Sequence, residues 1–262
     1  MVEATCAKKG MKAPQAIVFD LDNTLSRAIE PLSPHVAHGL SKLLESIPVA
    51  IMSGASIERV ERDVLSTLPV GTKFENLYLF PDTAACCYAY QKNNWQETYR
   101  HAFPPGESRR VAKILEEGLR ETGIIKGAPS FGERILARDA QVTLAAIGLD
   151  APGDLKAAWD PKRAKRAKLK AFLDPRLPDY DVRISSRTAI DITKKGVDKA
   201  EGVRWLAKHL GLNPSDMLFV GDDLKPGGND AMVIPTGIAT RQVSGPDETV
   251  LVIDELIVNC RG

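Results

Sequence analysis

The sequence predicts an α/β fold: helices layered on a parallel sheet, interrupted by an α+β insertion. Three observations carry this. Short apolar runs rich in branched residues stand at 15–19, 49–52, 77–80 and 217–220, each the length of a buried strand. Segments with helical apolar spacing separate the first three of them. Between residues 84 and 190 the texture changes, and paired short runs alternate with single helices.

Taken in order, Gln15-Ala-Ile-Val-Phe19 reads as a buried strand ending at Asp20. Pro34 to Ile47 places Val36, Leu40, Leu43, Leu44 and Ile47 on one helical face. Val49–Met52 is a second strand, followed by a helix that Ser56 can cap, with Glu58 in its first turn. Leu77–Phe80 is a third, stopped by Pro81. Cys87 to Tyr99 has the pattern of a hairpin around Lys92-Asn93-Asn94. Helices are expected over 107–121 and 152–172, the latter long and basic, with strands at 133–137, 141–147, 181–184 and 188–192. After Lys199 the first texture returns. A helix over 197–210 is closed by Gly211, and strands are expected at 217–220, 237–240 and 249–252. The expected division is a loose tail at 1–13, a discontinuous core at 14–83 and 191–262, and an insertion at 84–190.

Composition narrows the function. With 262 residues, 35 Lys+Arg against 34 Asp+Glu and a net charge of +1, the chain offers no global field for nucleic acid or an anionic membrane. No apolar run is long enough to span a bilayer. Cys6, Cys86, Cys87 and Cys260 lack zinc-ligand or CxxC spacing, so reduced thiols in the cytoplasm are expected. The basic run Lys162–Lys168 reads as a solvated helix face. The four histidines show no ligand spacing, and the three tryptophans read as packing residues.

The chemistry concentrates at strand ends. Asp20 with Asp22, Ser53-Gly54 and Asp222-Asp223 each follow an apolar run, at the edge where open parallel sheets bind ligands. Aspartate and serine also make good turns and caps, so each pair alone reads equally well as structure. Their joint occurrence does not. Carboxylates converging from two strands repel, and a hard oxygen cluster of that kind suits Mg²⁺. One carboxylate left free to attack, beside such an ion, points to phosphoryl transfer through an aspartyl phosphate. A second, two residues on, can protonate the leaving oxygen and then activate water.

Asp20-Leu-Asp22-Asn-Thr24 resembles the DxDxT nucleophile motif of the haloacid dehalogenase superfamily. Ser53, Lys199 and Gly221-Asp222-Asp223…Asn229-Asp230 fit its second, third and fourth motifs, in order. The resemblance implies a Rossmann-like core with a C2b-type cap, and a catalytic set of Asp20 (nucleophile), Asp22 (acid and base), Ser53 (phosphate donor) and Lys199 (charge neutraliser). It implies a metal set of Asp20, Asp22 through its carbonyl, Asp222 and, from behind, Asp230. The segments 219–230 and 191–199 are similar to those of eukaryotic phosphomannomutases. That similarity assigns Arg138, Lys156 and Asp191 to substrate; Gly54, beside Ser53 at its strand end, is the other expected substrate contact. The similarity is incomplete: Leu149 and Ile29 stand where those mutases carry arginines, Lys156 replaces a third, and Ala189 replaces a serine. Arg134, Lys126, Arg183 and Arg187 are the cations that could compensate. The expectation is a Mg²⁺-dependent phosphatase of a small phosphorylated metabolite, a sugar phosphate. The alternatives are a phosphosugar mutase and a non-catalytic sugar-phosphate sensor.

Overall fold

The computed structural model describes residues 13–259. Along the chain the elements are β1 (Ala16–Asp20), α1 (Pro34–Leu43), β2 (Val49–Met52), α2 (Ile57–Asp63), β3 (Leu77–Phe80), the single turn α3 (Pro81–Ala84), β4 (Cys86–Gln91) and β5 (Asn94–Arg100). There follow α4 (Glu107–Thr122), β6 (Ile135–Ala137), β7 (Val142–Ala145), α5 (Gly153–Trp159), α6 (Ala164–Leu173), β8 (Tyr180–Ser185) and β9 (Ala189–Lys194). The chain closes with α7 (Lys199–Leu210), β10 (Met217–Gly221), β11 (Ala239–Gln242) and α8 (Pro246–Asn259).

Two sheets result. The first has seven strands in the order β11-β10-β1-β2-β3-β4-β5. Its strands from β11 to β3 run parallel, and β4 and β5 are antiparallel. Every residue of β1, β2, β3 and β10 is buried, because helices cover both faces. Ile17 and Phe19 pack on one side with α1 and α8; Ala16 and Val18 pack on the other with α7. The second sheet is antiparallel, β6-β7-β9-β8, and buries Leu144, Ile190 and Ile192 against Val111 and Leu115 of α4 and Leu169 of α6. The α/β reading with a mostly parallel sheet holds.

Four expectations need correction. The hairpin at 86–100 does not open the insertion: β4 pairs with β3, so the hairpin extends the first sheet. The boundary at 190/191 cuts β9, a second-sheet strand whose alternate residues face α4 and α6. The long helix at 152–172 is two helices, broken across Asp160–Arg163, where Pro161 follows Asp160 and Arg163 has φ +59°. The strand at 249–252 lies within α8. Thr249-Val-Leu-Val252 has strand composition, but Thr249, Val252, Ile253 and Leu256 share a helical face behind Pro246 and two acidic first-turn residues. The tail expected at 1–13 lies, but for residue 13, outside the described residues, as do Cys6 and Cys260.

Candidate functional site

Parallel pairing of β1 with β10 and β2 brings Asp20, Ser53 and Asp222 to one edge of the sheet. Asp20 is the last residue of β1 and is 4% exposed. Lys199 starts α7 behind the cap Asp198, whose side chain accepts from Glu201 N. Its Nζ lies 2.5 Å from Asp20 Oδ1 and 2.7 Å from Asp230 Oδ1. Ligand oxygens of Asp20, Asp222 and Asp230 all lie within 4.8 Å of one another. Gly221 permits this closeness, since a Cβ there would stand 2.4 Å from Asp230 Oδ2.

The charges respond to this crowding. Burial raises the Asp20 carboxyl well above its ordinary range, and Asp230 and Asp222 add to the rise against the pull of Lys199. Burial and Asp230 push Asp222 up to about 6. Burial alone would lower the Lys199 ammonium, but Asp20 and Asp230 raise it. Three carboxylates against one lysine leave the cluster short of positive charge. Its hard oxygen donors fit a Mg²⁺-like ion. Asp230 is occupied at both oxygens, by Lys199 and by the amide of Asp223. Asp20 and Asp222 are therefore better placed to ligate directly.

Asp22 faces the same cleft, but its carboxylate is gripped by Arg59: Nη1 to Oδ2 at 3.0 Å and Nη2 to Oδ1 at 2.5 Å. Ser53 Oγ accepts from Ala55 N, and the loop is pinned by Thr83 N to Ser53 O and Asp82 N to Ala55 O. These last two bonds come from the α3 turn, where Asp82, Thr83 and Ala84 are all left-handed, at φ +52°, +57° and +63°. For three consecutive residues with side chains this is strained backbone, of the kind found at functional loops.

The cleft holds about 470 Å³ and is lined by both sheets. Gly54, Arg138, Lys156 and Asp191 all line it. Arg138, however, is engaged elsewhere. It pairs with Asp82 at 2.7 Å and donates to Gly54 O at 2.9 Å, tying the second sheet to the Ser53–Gly54 loop. Asp191 is 6% exposed and accepts from Gln141 and Thr143. Gln141 Nε2 also reaches Gly54 O. Lys156 donates to Leu149 O and Arg187 to Gly153 O; neither forms an ion pair among the described residues. Arg183 is held by Asp181 and Asp198, and Arg134 donates to the carbonyls of Ala128 and Pro129.

The basic run is more than a solvated face. Arg166 is 2% exposed, pairs with Asp160 and donates to the carbonyls of Ser185 and Ser186 at the cleft wall. Arg163 crosses to Asp223 and to Gly227 O. Sequence reading missed Arg59, Arg163, Gln141 and Thr83. The cap Ser56 did place Arg59 in the first turn of a helix at the ligand edge, but nothing local told that it reaches back 37 residues to Asp22.

The chain is similar to several known proteins. A family model described as haloacid dehalogenase-like hydrolase matches residues 155–231. A probable phosphomannomutase of Caenorhabditis elegans is 24% identical over 247 residues, covering 89% of this chain and 91% of that protein. The phosphomannomutase of Saccharomyces cerevisiae is 23% identical, covering 94% and 95%. Among solved structures, the Plasmodium falciparum IMP-nucleotidase superposes with TM-score 0.71 at 16% identity, over 94% of this chain and 68% of that one. The C-terminal domain of Candida albicans trehalose-6-phosphate phosphatase does so with TM-score 0.66 at 17% identity, over 94% and 93%. The chain thus resembles haloacid dehalogenase-like hydrolases over residues 155–231, phosphomannomutases over most of its length, and these solved phosphatase and nucleotidase structures in its fold.

Proposed function

We propose that this chain is a Mg²⁺-dependent phosphohydrolase of a small phosphorylated metabolite, a sugar phosphate, working through an aspartyl phosphate on Asp20. One observation carries the reading: Asp20 ends β1 inside a cleft of about 470 Å³, with Lys199 on one oxygen and Asp222 beside it. With Oδ1 held by Lys199, Oδ2 is the oxygen left to attack phosphorus.

The Asp20–phosphorus bond forms as the bond to the ester oxygen breaks, and Asp22 gives that oxygen its proton. Water then attacks phosphorus, Asp22 takes a proton back, and inorganic phosphate leaves Asp20 regenerated. Ser53 and Lys199 meet the phosphoryl oxygens, whose spread charge calls for cationic and hydrogen-bonding partners. A bound Mg²⁺, held by Asp20, Asp222 and the Asp22 carbonyl, would shield those oxygens from the attacking carboxylate. The second sheet forms the opposite wall and limits water. Among the described residues Cys86 and Cys87 are buried and free, in keeping with a reducing cytoplasmic setting.

A second reading, phosphosugar mutase, is favoured by the two phosphomannomutase relatives and by Lys156 and Arg187, cations in the cleft that form no ion pair among the described residues. Against it, Leu149 and Ile29 line the cleft as apolar groups where the resemblance called for arginines, and Arg27, close to Ile29 in sequence, is not among the residues lining it. The test is a panel of phosphorylated metabolites with Mg²⁺, reading free phosphate and sugar isomerisation together. Phosphate release without isomerisation supports the phosphatase. Isomerisation stimulated by a hexose bisphosphate supports the mutase, and neither product overturns both.

A further inference from the structure

We propose that Arg59 is a positioning residue for Asp22, and that its guanidinium fork decides which esters the site cleaves. The inference rests on the reading of Asp22 as the group that protonates the leaving oxygen. Asp22 lies in the turn beyond β1, with its side chain 23% exposed. Packing alone does little to fix a short side chain so placed. Its carboxylate plane is set instead by two parallel N–H donors from Arg59, at 3.0 and 2.5 Å, and by Ile29 N at 3.2 Å.

Arg59 is itself pinned. Its Nε donates to Asp63 Oδ2 at 3.1 Å, and Asp63 is 1% exposed and further held by Arg62. All three guanidinium nitrogens thus have partners, and the fork cannot turn without losing one. Two N–H groups on two carboxylate oxygens define a plane as well as a distance; a lysine ammonium in the same place defines only the distance. The chain Asp63–Arg59–Asp22 therefore carries the rigidity of α2 to the turn after β1.

An alkyl ester departs as a strongly basic oxygen and needs a proton delivered in the transition state. A nitrophenyl ester departs without one. Losing the orientation of the acid must therefore slow the first kind of ester and spare the second. A residue that only props up α2, or that only binds phosphate, slows both alike.

The experiment is a single-turnover comparison with Mg²⁺, timing release of the alcohol or phenol from an alkyl phosphate and from p-nitrophenyl phosphate. In Arg59→Met the alkyl ester is expected to slow by about tenfold or more, part of the range general acid catalysis supplies, while the nitrophenyl ester stays within about threefold. Arg59→Lys should fall between wild type and Arg59→Met on the alkyl ester. Arg62→Met removes the other partner of Asp63 without touching Asp22, and should show no split between the two esters. Combined with Asp22→Asn, Arg59→Met should add little further loss on the alkyl ester, because both act through one group. Equal slowing of both esters in Arg59→Met, no slowing, faster alkyl cleavage, or an equal split in Arg62→Met overturns the proposal. A wild type inert on both esters fails differently, since it removes the phosphatase reading itself.

Discussion

Lys199 reaches back 179 residues to place its ammonium 2.5 Å from Asp20 Oδ1, with both side chains almost wholly buried. The pair is not isolated. Asp230 accepts from the same ammonium, and Asp222 shares the pocket of charge. Buried ion pairs add little net stability, but removing one partner leaves an uncompensated charge in a poor solvent.

Lys199→Met should therefore destabilise the protein by about 3 kcal/mol or more in the absence of divalent cations. Asp20→Asn should cost much less, because it removes one of three crowded carboxylates. Urea unfolding of both variants in EDTA checks the order, and a smaller loss in Lys199→Met contradicts it.

Mg²⁺ should stabilise the fold, by about 2.7 kcal/mol at a hundredfold excess over its dissociation constant. With the Asp222 carboxyl lifted to about 6, binding must displace its proton at lower pH, so the stabilisation should grow as pH rises through that value. Thermal unfolding with and without Mg²⁺ measures the shift, which Asp222→Ala should largely abolish.

Asp82 gives a pH signature away from the carboxylate cluster. Burial lifts its carboxyl from 3.8 to about 6 despite the nearby Arg138. Between those values the folded protein holds a proton that the unfolded chain has released, so stability from this group falls as pH rises through the window. Asp82→Asn has no proton to lose. Wild-type stability relative to Asp82→Asn should fall between about pH 4 and about pH 7, as denaturant titrations at the two ends would show.

Arg163 joins α6 to the loop carrying Asp222, through Asp223 at 2.7 Å and Gly227 O. The pair is partly exposed, so Arg163→Ala should cost at most about 1 kcal/mol. Its effect should be local: faster amide exchange over residues 222–230, with β1 and β10 unchanged. Uniform exchange rates across wild type and variant would dissociate Arg163 from the order of this loop.

The parts of the site legible in the sequence are those tied to strand ends. Asp20, Ser53 and Asp222 each follow a run buried on both faces, and such runs declare themselves by composition alone. The hairpin at 86–100 was legible as a hairpin but not in its place, because pairing of β4 with β3 is a choice between sheets that local pattern does not encode. Thr249–Val252 misled because β-branched residues dominate four positions, while the helical signal needs the longer span to Leu256. The long-range cations were least legible. Arg138, Arg163 and Arg166 look alike in a sequence, yet one ties two sheets together, one crosses the cleft and one is buried under the Ser185–Ser186 turn.

The central claim is that Asp20 itself takes the phosphoryl group. Acid quench of a turning-over sample, followed by borohydride reduction and peptide mass analysis, reads this directly. Homoserine is expected at position 20 in substrate-treated protein and at no other aspartate. Turnover with Asp20 unmodified and the reduced residue elsewhere, or active turnover by Asp20→Asn, would contradict it.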